Sequence, residues 1–208
     1  MRLTQARAIV GRMGTKRRQM GRLPTIGHSN HGWDAFHALL SGAGTTMVVD
    51  VRAVPHSRFP QFRKRALETA LPAAGMSYRW MGRELGGVGK RTDATTFAGI
   101  AARADFHAAL DTLVALSASE VPAIMCAERD PLSCHRTALI ARHLRWRGDV
   151  ALKHVLGDGT LLSQDALDNR LIEHMLGDQD SLFDTGGDRV TRAYDALAHA
   201  MTGEAPAG

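Results

Sequence analysis

The fold is decided by the segment VPAIMCAERDPLSCHRTALIARHLRWR, which runs from Val121 to Arg147. Its first five residues form an apolar run that predicts a buried strand. A polar loop follows, and apolar residues then recur at helical spacing from Thr137 to Trp146. This strand–loop–helix order predicts one unit of a parallel sheet that is covered by helices on both faces.

The same alternation of strand and helix recurs along the chain. Further strands are predicted at Leu23–Gly27, Thr46–Arg52, Met76–Met81 and Val150–Leu156. Helical periodicity lies between them, at about residues 33–40, 63–74, 97–117, 134–147 and 164–175. We therefore predict an α/β fold, a three-layer domain with a mostly parallel sheet of about five strands flanked by helices.

The charge distribution separates the ends of the chain from a central domain. Seven of the 26 Lys and Arg residues precede Asp34, the first acid, so the remaining 19 face 21 acidic residues. We predict a basic, flexible extension over residues 1–22, the α/β domain over 23–176, and a polar tail over 177–208 with room for a short helix. The extension could bind nucleic acid, because its cations match a phosphate backbone.

The composition also limits the cellular setting. No apolar run approaches the ~20 residues of a membrane span, and no signal-peptide core follows the start, so we expect no membrane partner. Two cysteines do not make a disulfide framework. We therefore expect a cytoplasmic location.

Polar loops follow three of the predicted strands, beginning at His28, Arg52 and Cys126. The carboxyl ends of parallel strands meet at one edge of the sheet, where ligands bind in this class of fold. The sequence thus predicts one site at that edge. Its candidate catalytic groups are two thiols, two imidazoles and two carboxylates: Cys134, Cys126, His28, His135, Asp50 and Glu128.

The two cysteines differ in their predicted surroundings. Cys126 ends a buried strand, where a free thiol is commonly a small apolar residue. Cys134 lies where a helix begins, and the helix dipole together with Arg136 favours its thiolate. The same arrangement predicts anion binding, for which the candidate side chains are Ser29, Arg52, Ser57, Arg58 and Arg136.

Structural interpretations stay open beside these functional ones. Asp50 and Arg52 lie two apart on a strand end and can form an internal ion pair. A strand-end histidine such as His28 can serve only as a hydrogen-bonding group. Cys126, Cys134 and His135, completed by His28, could instead form a metal site. The Cys-x₇-Cys-His spacing is poor for a closed zinc site, so we expect no cofactor and no stoichiometric zinc or iron.

Taken together, five motifs in this order resemble the DUF488 family over roughly residues 23 to 157. They are Thr25–Ser29, Asp50–Arg52 with Pro55 and Ser57, Leu85–Gly87, Cys126-x-Glu128, and Cys134–Arg136. The resemblance implies a compact α/β domain and brings no established activity.

A looser likeness is to rhodanese-type sulfurtransferases, which also pair an Asp-x-Arg strand end with a later strand–cysteine–loop–helix. In those proteins the nucleophilic cysteine begins a short loop. Here Leu132 stands where a Cys-x₅-Arg pattern has its arginine. Cys126 and Cys134 therefore both remain candidates for the nucleophile.

We expect an enzyme, a thiol-dependent transferase or hydrolase, that acts on a phosphate-bearing or other small anionic substrate, for which a nucleotide is one option. In this hypothesis a cysteine attacks, Arg52, Arg58 and Arg136 hold the anion, and a histidine carries the proton. One alternative is a non-catalytic nucleic-acid-binding module that uses residues 1–22. A further alternative is a metal-dependent enzyme that uses the Cys/His cluster.

Overall fold

A computed structural model describes residues 20–88, 96–148, 150–177 and 186–203. The predicted extension over residues 1–22 lies outside these ranges except for its last three residues. Of these, Gly21 and Arg22 already belong to the first strand.

The elements alternate as the sequence predicts. The strands are β1 (Gly21–Gly27), β2 (Met47–Asp50), β3 (Ser77–Trp80), β4 (Pro122–Cys126), β5 (Val150–Val155) and β6 (Leu161–Ser163). The helices are α1 (Trp33–Gly42), α2 (Lys64–Ala73), α3 (Gly82–Leu85), α4 (Phe97–Ala101), α5 (Ala104–Leu116), α6 (Arg142–Arg147), α7 (Gln164–Leu176) and α8 (Gly186–Thr202). A π-helical segment, Arg136–Ala141, leads directly into α6.

The strands form one sheet in the order β3-β2-β4-β1-β5-β6. All neighbours are parallel except β6, which runs antiparallel to β5. The predicted α/β class and mostly parallel sheet are confirmed. The sixth strand was not predicted, because its three residues lie between a turn and a helix start and are too short to show alternation.

Alternating residues of the central strands feed two cores, one on each face of the sheet. Val48, Ala123 and Met125 pack with buried side chains of α1 and α2. Their neighbours Val49 and Ile124 pack on the other face, against residues from α5 through α8. This is the period-two pattern of a sheet that is buried on both sides.

The C-terminal segment differs from the predicted polar tail. Helix α8 has 17 residues, and its apolar positions recur at helical spacing. Five of these residues belong to the core: Val190, Ala193, Tyr194, Leu197 and Ala198. The described part of this segment is therefore integral to the domain, and the short helix expected in the tail is in fact a long, packed one.

A buried polar network joins α7 and α8 to the sheet. The His154 ring accepts from the Thr25 hydroxyl at 2.9 Å and bonds the Gln164 side chain at 3.1 Å. Gln164 in turn donates to Asp168 and to the Tyr194 hydroxyl. Burial lowers the pKa of His154 to about 4; the bond to Gln164 opposes this shift and the charge of Arg136 adds to it.

The His154 network should make stability fall in mild acid. The folded state resists protonating this ring, whereas the unfolded chain takes up the proton at the ordinary pKa of about 6.5. The free energy of unfolding should therefore decrease as pH falls from about 6.5 to about 4, by roughly 3 kcal/mol from this group.

Urea unfolding across this pH range measures the effect. His154→Gln should flatten the dependence, and His174→Gln, a change at an exposed position of α7, should not. An equal slope in wild type and His154→Gln would contradict the assignment.

Candidate functional site

The three polar loops predicted to converge do leave the same edge of the sheet. Strand β4 lies between β1 and β2, so the three carboxyl ends are adjacent. The His28 amide donates to the Cys126 carbonyl at 2.9 Å, and the Val51 amide donates to the Met125 carbonyl at 3.0 Å. The predicted site residues nevertheless divide into two clusters, one around Arg52 and one around Cys134.

The arginine–aspartate cluster consists of Asp50, Arg52, His28 and Tyr78. Arg52 donates two hydrogen bonds to the Asp50 carboxylate, from Nε at 2.8 Å and from Nη2 at 2.6 Å. Its Nη1 donates to the Phe62 carbonyl at 2.8 Å and to His28 Nε2 at 3.1 Å. The Tyr78 hydroxyl, which the sequence did not flag, donates to the second Asp50 oxygen at 2.8 Å.

These contacts leave the arginine–aspartate cluster little capacity for a ligand. All three nitrogens of the Arg52 side chain bond to protein acceptors, and both Asp50 and Arg52 are buried. Both His28 ring nitrogens are also engaged, because Nδ1 donates to the Ser29 carbonyl. This is the geometry of the internal ion pair that the sequence had left open.

Burial sets the protonation of the aromatic members of this cluster. It lowers the pKa of His28; the Ser29 bond opposes the shift and the Arg52 charge adds to it. The His28 ring also stacks on Phe62, with ring centroids 4.3 Å apart. Burial, together with the Asp50 carboxylate, raises the pKa of Tyr78. His28 is therefore a neutral, fixed ring at physiological pH.

The thiol cluster consists of Cys126, Glu128, Cys134, His135 and Arg136. Cys134 precedes the helical segment, as predicted, and its carbonyl accepts the amides of Thr137 and Ala138. Its Sγ accepts the Arg136 amide at 3.4 Å. The thiol therefore caps a helix start, where a negative charge is favoured. The first turns of this helix are π-helical, a form that is often found at functional sites.

One thiol hydrogen on Cys134 faces three acceptors. Its Sγ lies 3.0 Å from Glu128 Oε2, 2.9 Å from Cys126 Sγ and 3.6 Å from His135 Nδ1. A carboxylate and an imidazole are both competent to take this proton. Cys134 thus has the environment of a nucleophile with its base in place.

A second hydrogen bond orients the His135 ring. Its Nε2 lies 3.1 Å from the Val51 carbonyl, which can only accept, so Nε2 carries the hydrogen when the ring is neutral. Nδ1 is then an unprotonated acceptor that faces Cys134. The backbone of Gly87 packs closely against the His135 side chain. A Cβ at this position would lie 2.9 Å from that side chain, which explains the glycine in this loop.

Arg136 is the buried cation of the thiol cluster and is 0% exposed. Its Nη1 lies 2.6 Å from Cys126 Sγ and 2.7 Å from the Glu128 carbonyl, and Nη2 donates to the Arg129 carbonyl. Among the described residues, no carboxylate forms an ion pair with it, and its Nε has no hydrogen-bond partner. Its charge is therefore directed at the two sulfurs and at Glu128.

Burial and neighbouring groups shift the pKa values of Cys126 and Glu128 in opposite directions. Burial raises the pKa of Cys126, and the bond to Cys134 adds to this effect, while Arg136 opposes it. Partial burial would raise the pKa of Glu128 as well, but hydrogen bonds led by that from Cys134 hold it below its ordinary value. Glu128 is therefore a carboxylate at neutral pH.

Both thiols are 0% exposed, a degree of burial that was not expected for Cys134. Glu128 is exposed at the surface, and its carboxylate contacts the Cys134 sulfur. Ligand atoms of Cys126, Glu128 and Cys134 also all lie within 4.8 Å of one another, close enough to share a metal ion.

The remaining predicted anion-binding residues, Ser57, Arg58 and Ser29, make local contacts within their own loops. The Ser57 hydroxyl accepts the Phe59 amide at 3.1 Å, so it stabilises its own loop. Arg58 is exposed and stacks over the Phe59 ring. Ser29 has a left-handed backbone with φ of 48°, and its hydroxyl donates to Asn30 at 3.2 Å.

A comparison with known families adds one finding. A family model described as "Domain of unknown function DUF488" matches residues 32–143, which is just over half of the chain. The chain belongs to the DUF488 family. No curated protein and no solved structure matches it. The rhodanese likeness gains no support from these comparisons and stays a prediction, as does the cytoplasmic location.

The DUF488 match covers most of the site but not all of it. Asp50, Arg52 and the whole thiol cluster lie inside the matched range, whereas His28 precedes it. Helices α7 and α8 follow it. Within the described ranges, no helix combines the length and the hydropathy that are needed to cross a membrane.

Gly27 should be essential to the thiol cluster. A Cβ at this position would lie 1.7 Å from the Glu128 carbonyl oxygen and 2.7 Å from Arg136 Nη1. Gly27→Ala should therefore lower the free energy of unfolding by about 3 kcal/mol or more, because the backbone must move. Gly42→Ala is the matched control, since nothing lies within 4 Å of its Cβ. Denaturant melts that show equal stabilities for the two variants would contradict this packing.

Asp50 should contribute strongly to the stability of the folded protein. Asp50→Asn leaves the Arg52 cation buried without its anion and should cost about 3 kcal/mol or more. Asp111→Asn removes an exposed partner of Arg147 and should have little effect. Thermal denaturation compares them; a small loss for Asp50→Asn would instead favour a direct ligand-binding role for this pair.

Proposed function

We propose that this protein is a thiol-dependent enzyme in which Cys134 is the nucleophile and the substrate is a small anion. The observation that carries the proposal is the position of Cys134 Sγ, which lies 3.0 Å from the Glu128 carboxylate and 3.6 Å from His135 Nδ1. It lies at a helix start beside a buried arginine. No other described residue combines a nucleophilic atom, two bases and a helix terminus.

The proposed reaction begins with transfer of the Cys134 thiol proton to Glu128 or His135. The Arg136 amide and the helix terminus stabilise the thiolate, which attacks the electrophilic centre of the substrate. A bond from sulfur to the transferred group forms as the bond to the leaving group breaks. The protonated base then returns its proton to the leaving group, so charge and protons balance.

Burial of the cluster limits what can react. Cys134 is buried and its sulfur contacts the Glu128 carboxylate, so the substrate must be small or must displace this carboxylate. Displacement would leave His135 as the base, because its ring is held by the Val51 carbonyl and not by Glu128. The pair therefore provides one proton acceptor that can move and one that is fixed.

The preference for an anion rests on the cations of this edge. Arg136 provides a buried charge beside the sulfurs. Arg129 follows Glu128 and is exposed, and Arg58 is exposed in the loop beside the arginine–aspartate cluster. The nitrogens of Arg52 are bonded to Asp50, His28 and the Phe62 carbonyl, so Arg52 is a structural residue and these other arginines make the anion contact.

Alkylation with iodoacetamide, read by mass spectrometry, tests the nucleophile. Cys134 should be labelled at least about tenfold faster than Cys126, because burial raises the pKa of Cys126 and a one-unit difference in pKa changes the thiolate fraction tenfold. His135→Asn should slow the labelling of Cys134, and His56→Asn, an exposed histidine, is the control. Sulfate should slow it in wild type.

The opposite outcomes are equally clear. Equal, slow labelling of both cysteines that is indifferent to sulfate would contradict the proposal. Faster labelling of Cys126 would move the nucleophile to the rhodanese-like position. Steeply salt-dependent nucleic-acid binding that disappears on deletion of residues 1–22, without selective labelling, would favour the binding module instead.

A further inference from the structure

Three side chains of the thiol cluster, Cys126, Glu128 and Cys134, place their donor atoms within 4.8 Å of one another, and His135 contacts one of them. The sulfurs of Cys126 and Cys134 lie 2.9 Å apart, and Glu128 Oε2 lies 3.0 Å from the second sulfur. His135 Nδ1 is 3.6 Å from the same sulfur. Two thiolates, one carboxylate and one imidazole are ligands that zinc and its heavier relatives accept in tetrahedral sites.

The His135 ring has the second hydrogen bond that metal-binding histidines usually have. Such a ring donates its far N–H to a carbonyl or carboxylate, which fixes the tautomer and aims the free nitrogen at the ion. Here Nε2 is held by the Val51 carbonyl at 3.1 Å, and Nδ1 faces the Cys134 sulfur. His28 cannot take this part, because both of its ring nitrogens are already engaged.

The charges of the cluster also match a divalent cation. Two thiolates and the Glu128 carboxylate carry three negative charges, and the buried Arg136 offsets one of them. A divalent ion would neutralise the remaining two. The Arg136 contact with Cys126 is compatible with binding, because a thiolate sulfur can accept an N–H bond and coordinate a metal together.

We propose that Cys126, Cys134 and Glu128 form a binding site for a thiophilic divalent cation such as Zn²⁺ or Cd²⁺, and that His135, which contacts Cys134, completes the site as the side chains adjust around the ion. The sequence spacing had argued against a zinc site, since seven residues separate the cysteines. The loop between them folds back over the Arg136 side chain, through bonds to the Glu128 and Arg129 carbonyls, and this brings Glu128 to the sulfurs.

Metal binding and nucleophilic attack exclude each other at this site. A bound ion occupies one lone pair of Cys134, lowers the nucleophilicity of the sulfur and blocks the approach of a substrate to it. Zn–S bonds of ~2.3 Å also require a sulfur separation of roughly 3.8 Å, so the two side chains must move apart on binding. The metal site therefore does not depend on the proposed enzymatic role. A bound ion would inhibit the proposed reaction.

Titration of the reduced, metal-free full-length protein with CdCl₂ tests the site. The two cysteines are the only ones in the chain, so a cadmium–thiolate charge-transfer band can come from no other thiol. We expect the band to saturate at one Cd²⁺ per chain and to be displaced by Zn²⁺. Cys126→Ser and Cys134→Ser should each abolish this saturable site.

The carboxylate and the imidazole are tested by matched substitutions. Glu128→Gln and His135→Asn should each weaken Cd²⁺ binding by at least about tenfold. The controls Glu68→Gln and His56→Asn, both at exposed positions, should leave it unchanged. Zn²⁺ should raise the melting temperature of the wild type and should not raise that of Cys134→Ser, which provides a readout where a variant is poorly folded.

Each failure identifies what is wrong. Absence of the charge-transfer band, or full binding in either serine variant, would overturn the two-thiol site. Unchanged affinity in both Glu128→Gln and His135→Asn would overturn the four-ligand assignment. Cadmium binding without selective alkylation of Cys134 would leave the metal site standing and remove the proposed enzyme; the reverse result would do the opposite.

Discussion

The thiol cluster depends on one buried cation, the guanidinium of Arg136. This group is excluded from solvent and bonds to the Cys126 sulfur and to two backbone carbonyls of the loop that follows β4. A buried charge is tolerated only where such contacts compensate for its lost hydration. The loop therefore folds around the guanidinium, and Gly27 must lack a side chain because its Cβ would occupy the same space.

The edge of the sheet divides its polar groups between structure and chemistry. Asp50 and Arg52 satisfy each other, and their cluster holds His28 and Tyr78 in place. In the thiol cluster, sulfur, carboxylate and imidazole atoms face one another, and Arg136 bonds to the Cys126 sulfur. The buried ion pair thus fixes one part of this edge, and the sulfur, carboxylate and imidazole atoms of the thiol cluster contact one another in the other part.

The same contacts make the thiol cluster suited to two uses. A thiol with a carboxylate and an imidazole beside it can lose its proton and attack, and the deprotonated set can equally bind a soft cation. The His135 tautomer that the Val51 carbonyl imposes suits both uses, because it leaves Nδ1 free to accept a proton or to coordinate an ion. Access limits both uses, because both sulfurs are buried and the Cys134 sulfur contacts the side chain of the exposed residue Glu128.

The sequence by itself determined the fold class, the order of the elements and the convergence of the loops at one edge. Hydrophobic periodicity reports these features, since it records which face of each element is buried. It also placed Cys134 at a helix start. Only the tertiary structure decided that Arg52 forms a buried ion pair with Asp50, that Glu128 lies beside both thiols, that Cys134 is buried, and that α8 completes the core. These depend on side-chain contacts between segments that are distant in the chain or joined by an irregular loop, and such contacts leave no periodic signal in one sequence.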